Sequence, residues 1–304
     1  MARGVPKAGF RMTKKRVQIA EEVLASGKPL TTDIFVKPTY EFVEPTPVIE
    51  KEETEDEIKT RIIERFTITE EIVLATAMGV NPALVISGPP GLGKSHVVTD
   101  TIESLGLTEV QYIKGRVSPN GLYKALYAAK NDGGLVVIDD SDGIFDNELS
   151  LNLLKAATDS EKKRLISWRA EHRMIDDDGN PLPDDFDFEG SIIFITNIDF
   201  YKEANSNSKL APHLSAIISR CLYVDLGMKT NKHYMCRVKQ VLFDYGMFEN
   251  ELTHTQRLDM FQFMEDNINS LREISLRVCK KIAILMNTYD STWKSKAKLL
   301  LCRG

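Results

Sequence analysis

Cysteine is scarce in this chain of 304 residues: the four are Cys221, Cys236, Cys279 and Cys302. They lie far apart and form no C-x-x-C pair, the spacing typical of zinc and redox sites. This scarcity excludes a disulfide framework and a zinc site from the interpretation. We expect reduced thiols in a protein of the cytoplasm, or of the host cytoplasm if it is viral.

Long apolar runs are also missing. No run approaches the roughly 18 residues of a membrane span, so we expect no membrane partner. The basic start, MARGVPKAGFRMTKKR, has no apolar segment behind it and does not fit a secretory signal. The net charge of -5 excludes a generic polycation, so a nucleic-acid surface would have to be a local patch. The 42% of hydrophobic residues nevertheless provide material for a core.

Charge is distributed unevenly before residue 58. Residues 1–28 carry seven Lys and Arg against two Glu, whereas residues 39–57 carry eight acidic residues against one Lys. We predict that residues 1–57 form a flexible basic arm and an acidic linker. Two solvated tails are the simplest interpretation. The alternative is that the basic arm contacts phosphate or a partner subunit.

Short apolar runs alternate with helical patterns over residues 58–226. The runs are ALVIS (83–87), EVQYI (109–113), LVVID (135–139), SIIFIT (191–196) and CLYVDL (221–226). Apolar strands separated by helices are typical of a parallel sheet covered on both faces, so this region predicts an α/β domain. Residues 227–304 show three amphipathic helical patterns and predict an α-helical domain.

A glycine-rich motif follows the first apolar run. GPPGLGKS (88–95) fits G-x-x-x-x-G-K-[ST], and it lies between a predicted strand and a predicted helix. Backbone N–H groups of such a loop bind phosphate oxygens, Lys94 reaches the β- and γ-phosphates, and the Ser95 hydroxyl is placed for Mg²⁺. We therefore expect ATP or ADP with Mg²⁺, although a glycine turn without a ligand is the alternative. The candidate nucleotide-binding residues are Gly88, Pro89, Pro90, Gly91, Leu92, Gly93, Lys94, Ser95 and His96.

Two carboxylates end the strand LVVID. In a phosphate-loop protein the first such acid holds Mg²⁺ and the second can orient the attacking water. We assign Asp139 to the metal side and Asp140 as the candidate base. Asp142 and Asp146 follow closely and leave the choice of base open, and paired acids can also be simple turn formers.

With both motifs on such a core, residues 58–290 resemble the AAA+ ATPase family, including its compact bacteriophage members. GPPGLGKS is similar to the family's Walker A motif, and LVVIDD to its Walker B motif. Many members have Asp-Glu where this chain has Asp139-Asp140, which allows for slow turnover. The resemblance implies an α/β P-loop core with a five-stranded parallel sheet, followed by a small all-α lid.

The resemblance also implies roles for three further residues. Asn197 ends the strand SIIFIT at the position of the family's sensor 1, although a turn residue is the alternative. Arg220 precedes the last strand as the family's arginine finger does, unless it forms an ion pair within the chain. Arg277 matches sensor 2, because Ser275 is a plausible N-cap, with Arg272 as the alternative. An arginine acting in trans implies a homo-oligomeric ring, most often a hexamer.

Two segments bear on what such a ring would act on. The loop after the second strand faces the central pore in this family, where Lys114 and Arg116 could contact the phosphates of a nucleic acid. Residues 165–190 form an insertion in which Asp178-Gly179 predicts the turn of a hairpin. The acidic turn argues against DNA at its tip.

Three functions remain open at this point. The first hypothesis is an ATP-hydrolysing homo-oligomeric ring that acts on DNA as a helicase, helicase loader or DNA-processing motor. The second is an ATP-dependent protein remodeler or assembly chaperone with a protein client. The third is a nucleotide-gated scaffold in which turnover is incidental.

Overall fold

A parallel sheet of five strands forms the centre of this computed structural model, which describes residues 53–107, 109–169, 174–176 and 179–303. This sheet contains β1 (Ala83–Ser87), β2 (Val110–Lys114), β3 (Leu135–Asp139), β6 (Ser191–Thr196) and β7 (Leu222–Asp225). Strands β4 (Arg164–Ser167) and β5 (Asp185–Phe188) lie outside it. The order in the large sheet is β2-β3-β6-β1-β7. Every residue of β1, β3 and β6 is buried, as expected for strands covered on both faces.

The register of the sheet brings polar strand ends together. Ser87 of β1 pairs with Thr196 of β6, and Asp139 of β3 lies between Lys114 of β2 and Ile195 of β6. Because all these strands run parallel, their carboxyl ends share one edge of the sheet. In open α/β sheets that edge is where ligands bind.

Helices cover the sheet and build the carboxyl-terminal region. They are α1 (Glu55–Ala77), α2 (Lys94–Ser104), α3 (Pro119–Ala128), α4 (Glu148–Ala157), α5 (Phe200–Ala204), α6 (Ala211–Ile218), α7 (Asn231–Phe243), α8 (His254–Asp266), α9 (Leu276–Tyr289) and α10 (Trp293–Leu301). Short 3₁₀ turns span Asp142–Asp146 and Asp290–Thr292.

Helix α1 begins at Glu55, inside the predicted acidic linker. Its N-cap is Thr54, whose hydroxyl accepts from Glu57 N at 3.3 Å, while Glu57 Oε2 accepts from Thr54 N at 2.8 Å. This capping box contributes about 1 kcal/mol, and acidic side chains in a first turn also suit the helix dipole. The end of the acidic run therefore stabilises a helix instead of remaining in the linker.

The insertion before β6 contains an antiparallel pair. Strands β4 and β5 form a separate two-stranded sheet, and Ile175 bridges Pro181 further out. Gly179 has a φ of 86°, which suits the turn that the sequence predicts there. Asp177 and Asp178 of that turn lie outside the described residues.

The carboxyl-terminal helices enclose a hydrophobic core of their own. It includes Leu242, Met260, Met264 and Ile282, all fully buried. The prediction of three helices was incomplete, because α10 adds a fourth whose Ala297 is buried in the same core. The sequence signal for α10 is weak, because this helix has nine residues and only a short apolar face.

These elements confirm the predicted fold class, an α/β core with a five-stranded parallel sheet followed by a small helical region, here called the lid. Residues Glu52–Gly304 form one compact unit. The predicted boundaries at residues 57 and 226 stay a prediction, and the basic arm with most of the acidic linker lies outside the described residues. No helix in the described part of the chain has both the length and the apolar character of a membrane span.

Candidate functional site

The phosphate loop bends sharply between β1 and α2. Gly91 and Gly93 have φ values of 77° and 95°, in the left-handed region that favours glycine. A Cβ at Gly91 would lie 2.6 Å from Ser275 Cβ, and Leu276 N donates to Gly91 O at 2.9 Å. The loop therefore has the backbone shape of an anion-binding turn, and the lid packs directly on it.

Lys94 lies at the centre of the loop and is 7% exposed. Its Nζ donates to Gly88 O at 2.6 Å, to Pro89 O at 2.9 Å and to Asn197 Oδ1 at 2.9 Å. Burial, and then the positive charge of Arg277, lowers the pKa of Lys94 to about 8, against the opposing effect of nearby carboxylates. The site thus holds a partly destabilised cation that a bound anion would stabilise.

Ser95 and Asp139 form the expected metal side. Ser95 Oγ donates to Asp139 Oδ1 at 2.9 Å, and Asp139 is 8% exposed. Within the described residues no cluster of three or more His, Cys, Asp or Glu side chains could hold a metal ion. One carboxylate and one hydroxyl fit Mg²⁺, which commonly completes its shell with water and substrate phosphates.

Lys114 lies beside Asp139 at the edge of this site. Its Nζ is 3.6 Å from Asp139 Oδ2, because β2 and β3 place the two residues side by side. Its side chain is 61% exposed and also lines the cleft described below, so its expected contact with nucleic acid stays a prediction. Arg116 remains exposed in the following loop.

Asn197 links Lys94 to the candidate base. While its Oδ1 accepts from Lys94, its Nδ2 donates to Asp140 Oδ1 at 2.9 Å. Asp140 is exposed and has a φ of 52°, a conformation that Asp tolerates better than most residues. Asp142 instead accepts from Thr196 Oγ1 at 2.6 Å and does not line the cleft, so Asp140 is the better placed of the two acids.

A cleft of about 1140 Å³ extends from these residues to the lid. Pro90, Gly91, Gly93, Lys94, Ser95, His96, Asp139, Asp140, Asn197 and Arg277 line it together. Its lid end is lined by Tyr245, Met247 and Phe248, which the sequence did not reveal as site residues. A polar, glycine-rich end and an apolar end in one cleft of this size fit a nucleotide.

The structure separates the two sensor 2 candidates. Arg277, in the first turn of α9, lines the cleft, whereas Arg272 Nε donates to Cys302 O at 3.1 Å away from it. The N-cap argument that favoured Arg277 fits the geometry, because Val278 N donates to Ser275 Oγ at 3.3 Å.

Two candidate site residues, Arg220 and His96, differ from the other candidates in position or exposure. Arg220 does not line the cleft, and its Nη1 donates to Ala216 O at 2.7 Å. His96 lines the cleft, but its side chain is 78% exposed and its Nδ1 lies 2.8 Å from Asp100 Oδ1.

A comparison with known proteins gives a relative in sequence. The chain is 33% identical over 254 residues to the uncharacterized 36.7 kDa protein in the nrdC-mobD intergenic region of Enterobacteria phage T4, covering 82% of this chain and 77% of that protein. No family model matches the chain.

Solved structures show distant likeness. RuvB of Thermotoga maritima, a Holliday junction branch migration motor, matches 79% of this chain and 68% of its own, at 15% identity and a TM-score of 0.44. NtrX from Brucella abortus in complex with ATP matches 75% of this chain and 50% of its own, at 12% identity and a TM-score of 0.43.

Proposed function

We propose that this chain, which belongs to the same family as the 36.7 kDa protein of phage T4, is an ATPase of the AAA+ type that works as a homo-oligomer. The observation that carries the proposal is the continuous hydrogen-bonded series from Lys94 through Asn197 to Asp140, beside the Ser95–Asp139 pair. It joins a phosphate-binding cation to a carboxylate that can take a proton from water.

Each side chain has a role in this proposal. The loop amides and Lys94 bind the polyphosphate, while Arg277 adds a second cation from the lid. Asp140 accepts the proton of the attacking water, and Asn197 keeps that carboxylate in place. Mg²⁺, held by Ser95 and Asp139, would supply charge neutralisation of the phosphates.

The lid end of the cleft supports a nucleoside part on the ligand. Val241, Tyr245, Met247 and Phe248 provide apolar and aromatic surface there. A purine base is flat and largely apolar on its faces, so it suits this surface, whereas free phosphate would leave it uncovered.

Arg220 supports the oligomeric part of the proposal. It precedes β7 and lies outside the cleft of its own chain, where it has no phosphate to contact. An arginine finger that serves a neighbouring subunit requires this kind of position, in a head-to-tail ring for which we propose six subunits.

Mixing two inactive variants tests this arrangement. Lys94→Ala and Arg220→Ala should each hydrolyse ATP poorly alone, because every site then lacks one group. In an equal mixture, roughly a quarter of randomly formed interfaces combine an intact loop with an intact Arg220. We expect ATP hydrolysis to recover to a similar fraction of wild type, measured by phosphate release. No recovery, with mixed oligomers verified by differently tagged subunits, would contradict the arrangement in trans.

We further propose that the substrate of the ring is DNA. Exposed cations support this assignment on the loop after β2 and on the last helices of the lid: Arg116, Lys281, Lys294, Lys298 and Arg303. Such cations can pair with phosphates without reading sequence.

Salt dependence tests the DNA assignment. Affinity for single-stranded or duplex DNA should fall steeply as salt rises, and Lys298→Gln should lower the log–log slope by about one. Lys59→Gln, which removes an exposed cation of α1 that pairs with Asp244, serves as the control. Fluorescence anisotropy at several salt concentrations measures both, and affinity that is flat with salt argues against DNA.

A further inference from the structure

A buried arginine of the lid faces the cleft without an acidic partner. Arg237, on α7, is 4% exposed and lines the nucleotide cleft. Among the residues that the structure describes, no carboxylate forms an ion pair with its guanidinium. Burial lowers the pKa of Arg237 to about 10, against the opposing effects of Tyr245 and, to a smaller extent, Glu70, so the group still carries its charge at neutral pH.

Arg237 donates hydrogen bonds from Nε and Nη1, and the Nη2 edge of its guanidinium lies towards the phosphate loop. Nε donates to Leu92 O at 3.3 Å and Nη1 donates to Gln240 Oε1 at 2.6 Å. Nη2 lies on the side of Gly93, where a Cβ added to that glycine would come within 3.6 Å of it. The outward edge of the guanidinium is therefore beside the loop that binds phosphate.

Two aromatic rings lie close to the Arg237 guanidinium. The guanidinium carbon lies 3.4 Å from the ring centroid of Phe66 and 5.6 Å from that of Tyr245. Stacking on a nucleotide base requires a free face, which Phe66 already covers on one side. The available edge donors favour oxyanion acceptors, which guanidinium groups bind with directed, charge-assisted hydrogen bonds.

We propose that Arg237 is a nucleotide-binding residue that donates from its Nη2 edge to the polyphosphate of the bound nucleotide. The inference rests on the proposed function, and it adds a cation from α7 to those from the phosphate loop and α9. Bound phosphate would supply the close counter-charge that no ion pair within the described residues provides, and would stabilise this cation in its buried position.

Isothermal titration of the full chain with ADP and with inorganic tripolyphosphate tests the contact. Arg237→Gln should raise the dissociation constant for both probes by about 10- to 100-fold. Arg237→Lys keeps the charge but loses the planar fork, and should raise both by about 3- to 10-fold. Lys239→Gln removes an exposed cation from the same helix and should change neither by more than about twofold.

The two probes separate contact with phosphate from contact with the nucleoside part of the ligand. If the dissociation constant for ADP rises while that for tripolyphosphate is unchanged, the inference is overturned. Unchanged values for both probes in a folded Arg237→Gln variant, verified by circular dichroism, also overturn it. If Arg237→Gln does not fold, Arg237→Lys decides by the same contrast. Wild-type protein that binds neither probe overturns the proposed function as well, so the two failures are distinguishable.

Discussion

Lys94→Ala should raise the dissociation constant for ATP by at least about 100-fold, the value of one or two lost charge-assisted hydrogen bonds. The reason is the position of the ammonium group, which is buried and held by Gly88 O, Pro89 O and Asn197 Oδ1 in the loop itself. No other lysine occupies that position among the described residues. Titration with a slowly hydrolysed ATP analogue measures the loss.

The pKa of Lys94 adds a second readout to the same experiment. Because this pKa is lowered to about 8, part of the population is neutral above neutral pH, and polyphosphate binding should restore the proton. Wild type should therefore take up protons on binding near pH 8 to 9, whereas Lys94→Ala should not. Titrations in buffers of different ionisation enthalpy measure this uptake.

The lowered pKa of Lys94 also makes the stability of the nucleotide-free protein depend on pH. Between the lowered folded pKa and the unfolded value of 10.5, the unfolded chain binds more protons at Lys94 than the folded chain does. The contribution of Lys94 to the free energy of unfolding of nucleotide-free protein therefore rises with pH across that window.

The control for the loss of ATP affinity is Lys281→Ala, because Lys281 is exposed and lies outside the cleft. Equal ATP affinity in Lys94→Ala and in wild type would refute the site.

Asp140→Asn should lower kcat by about 100- to 10,000-fold, the range for a lost general base, while ATP affinity stays within a few-fold of wild type. The amide is nearly isosteric with the carboxylate. Its remaining side-chain oxygen can still accept from Asn197 Nδ2, but it cannot take a proton from water. Binding and turnover should therefore separate in this variant.

The neighbouring acid provides the comparison. Asp142→Asn removes a carboxylate that binds Thr196 and does not line the cleft, so it should retain most of the turnover. Single-turnover hydrolysis and equilibrium binding are measured for both variants. Full activity in Asp140→Asn together with a loss in Asp142→Asn would transfer the role of base to Asp142.

Local patterns in the sequence predicted most of the fold. Each of the five apolar runs became a strand within one residue of its predicted bounds, because Gly or Pro breaks the chain on at least one side of most runs. The phosphate loop and the N-cap at Ser275 depend on neighbours within a few residues, so they too were readable. Helix α10 was missed since its short pattern becomes a helix only on the core of the lid.

The remaining parts of the site depend on contacts between distant segments. Lys114 reached the cleft because strand register sets it beside Asp139, which no spacing in the chain encodes. Arg237 lies against Phe66 and Leu92, far away in sequence, and its pattern is that of an ordinary helical residue. The assignments of Asp140, Asn197 and Arg220 stay predictions until the variants are measured.

Hydrogen bonds connect the lid to the phosphate loop, so we expect movements of the loop and of helix α9 to be coupled. Leu276 N donates to Gly91 O and Arg237 Nε donates to Leu92 O, so we expect a shift of the loop on nucleotide release to move the start of α9 as well. That helix has 14 residues, and its far end carries Tyr289, 4.5 Å below Lys296 of α10. At about 1.5 Å per residue, a tilt of about 10° displaces the far end by about 4 Å. If nucleotide binds as proposed and shifts the loop, we expect a small movement there to become a larger displacement at Tyr289.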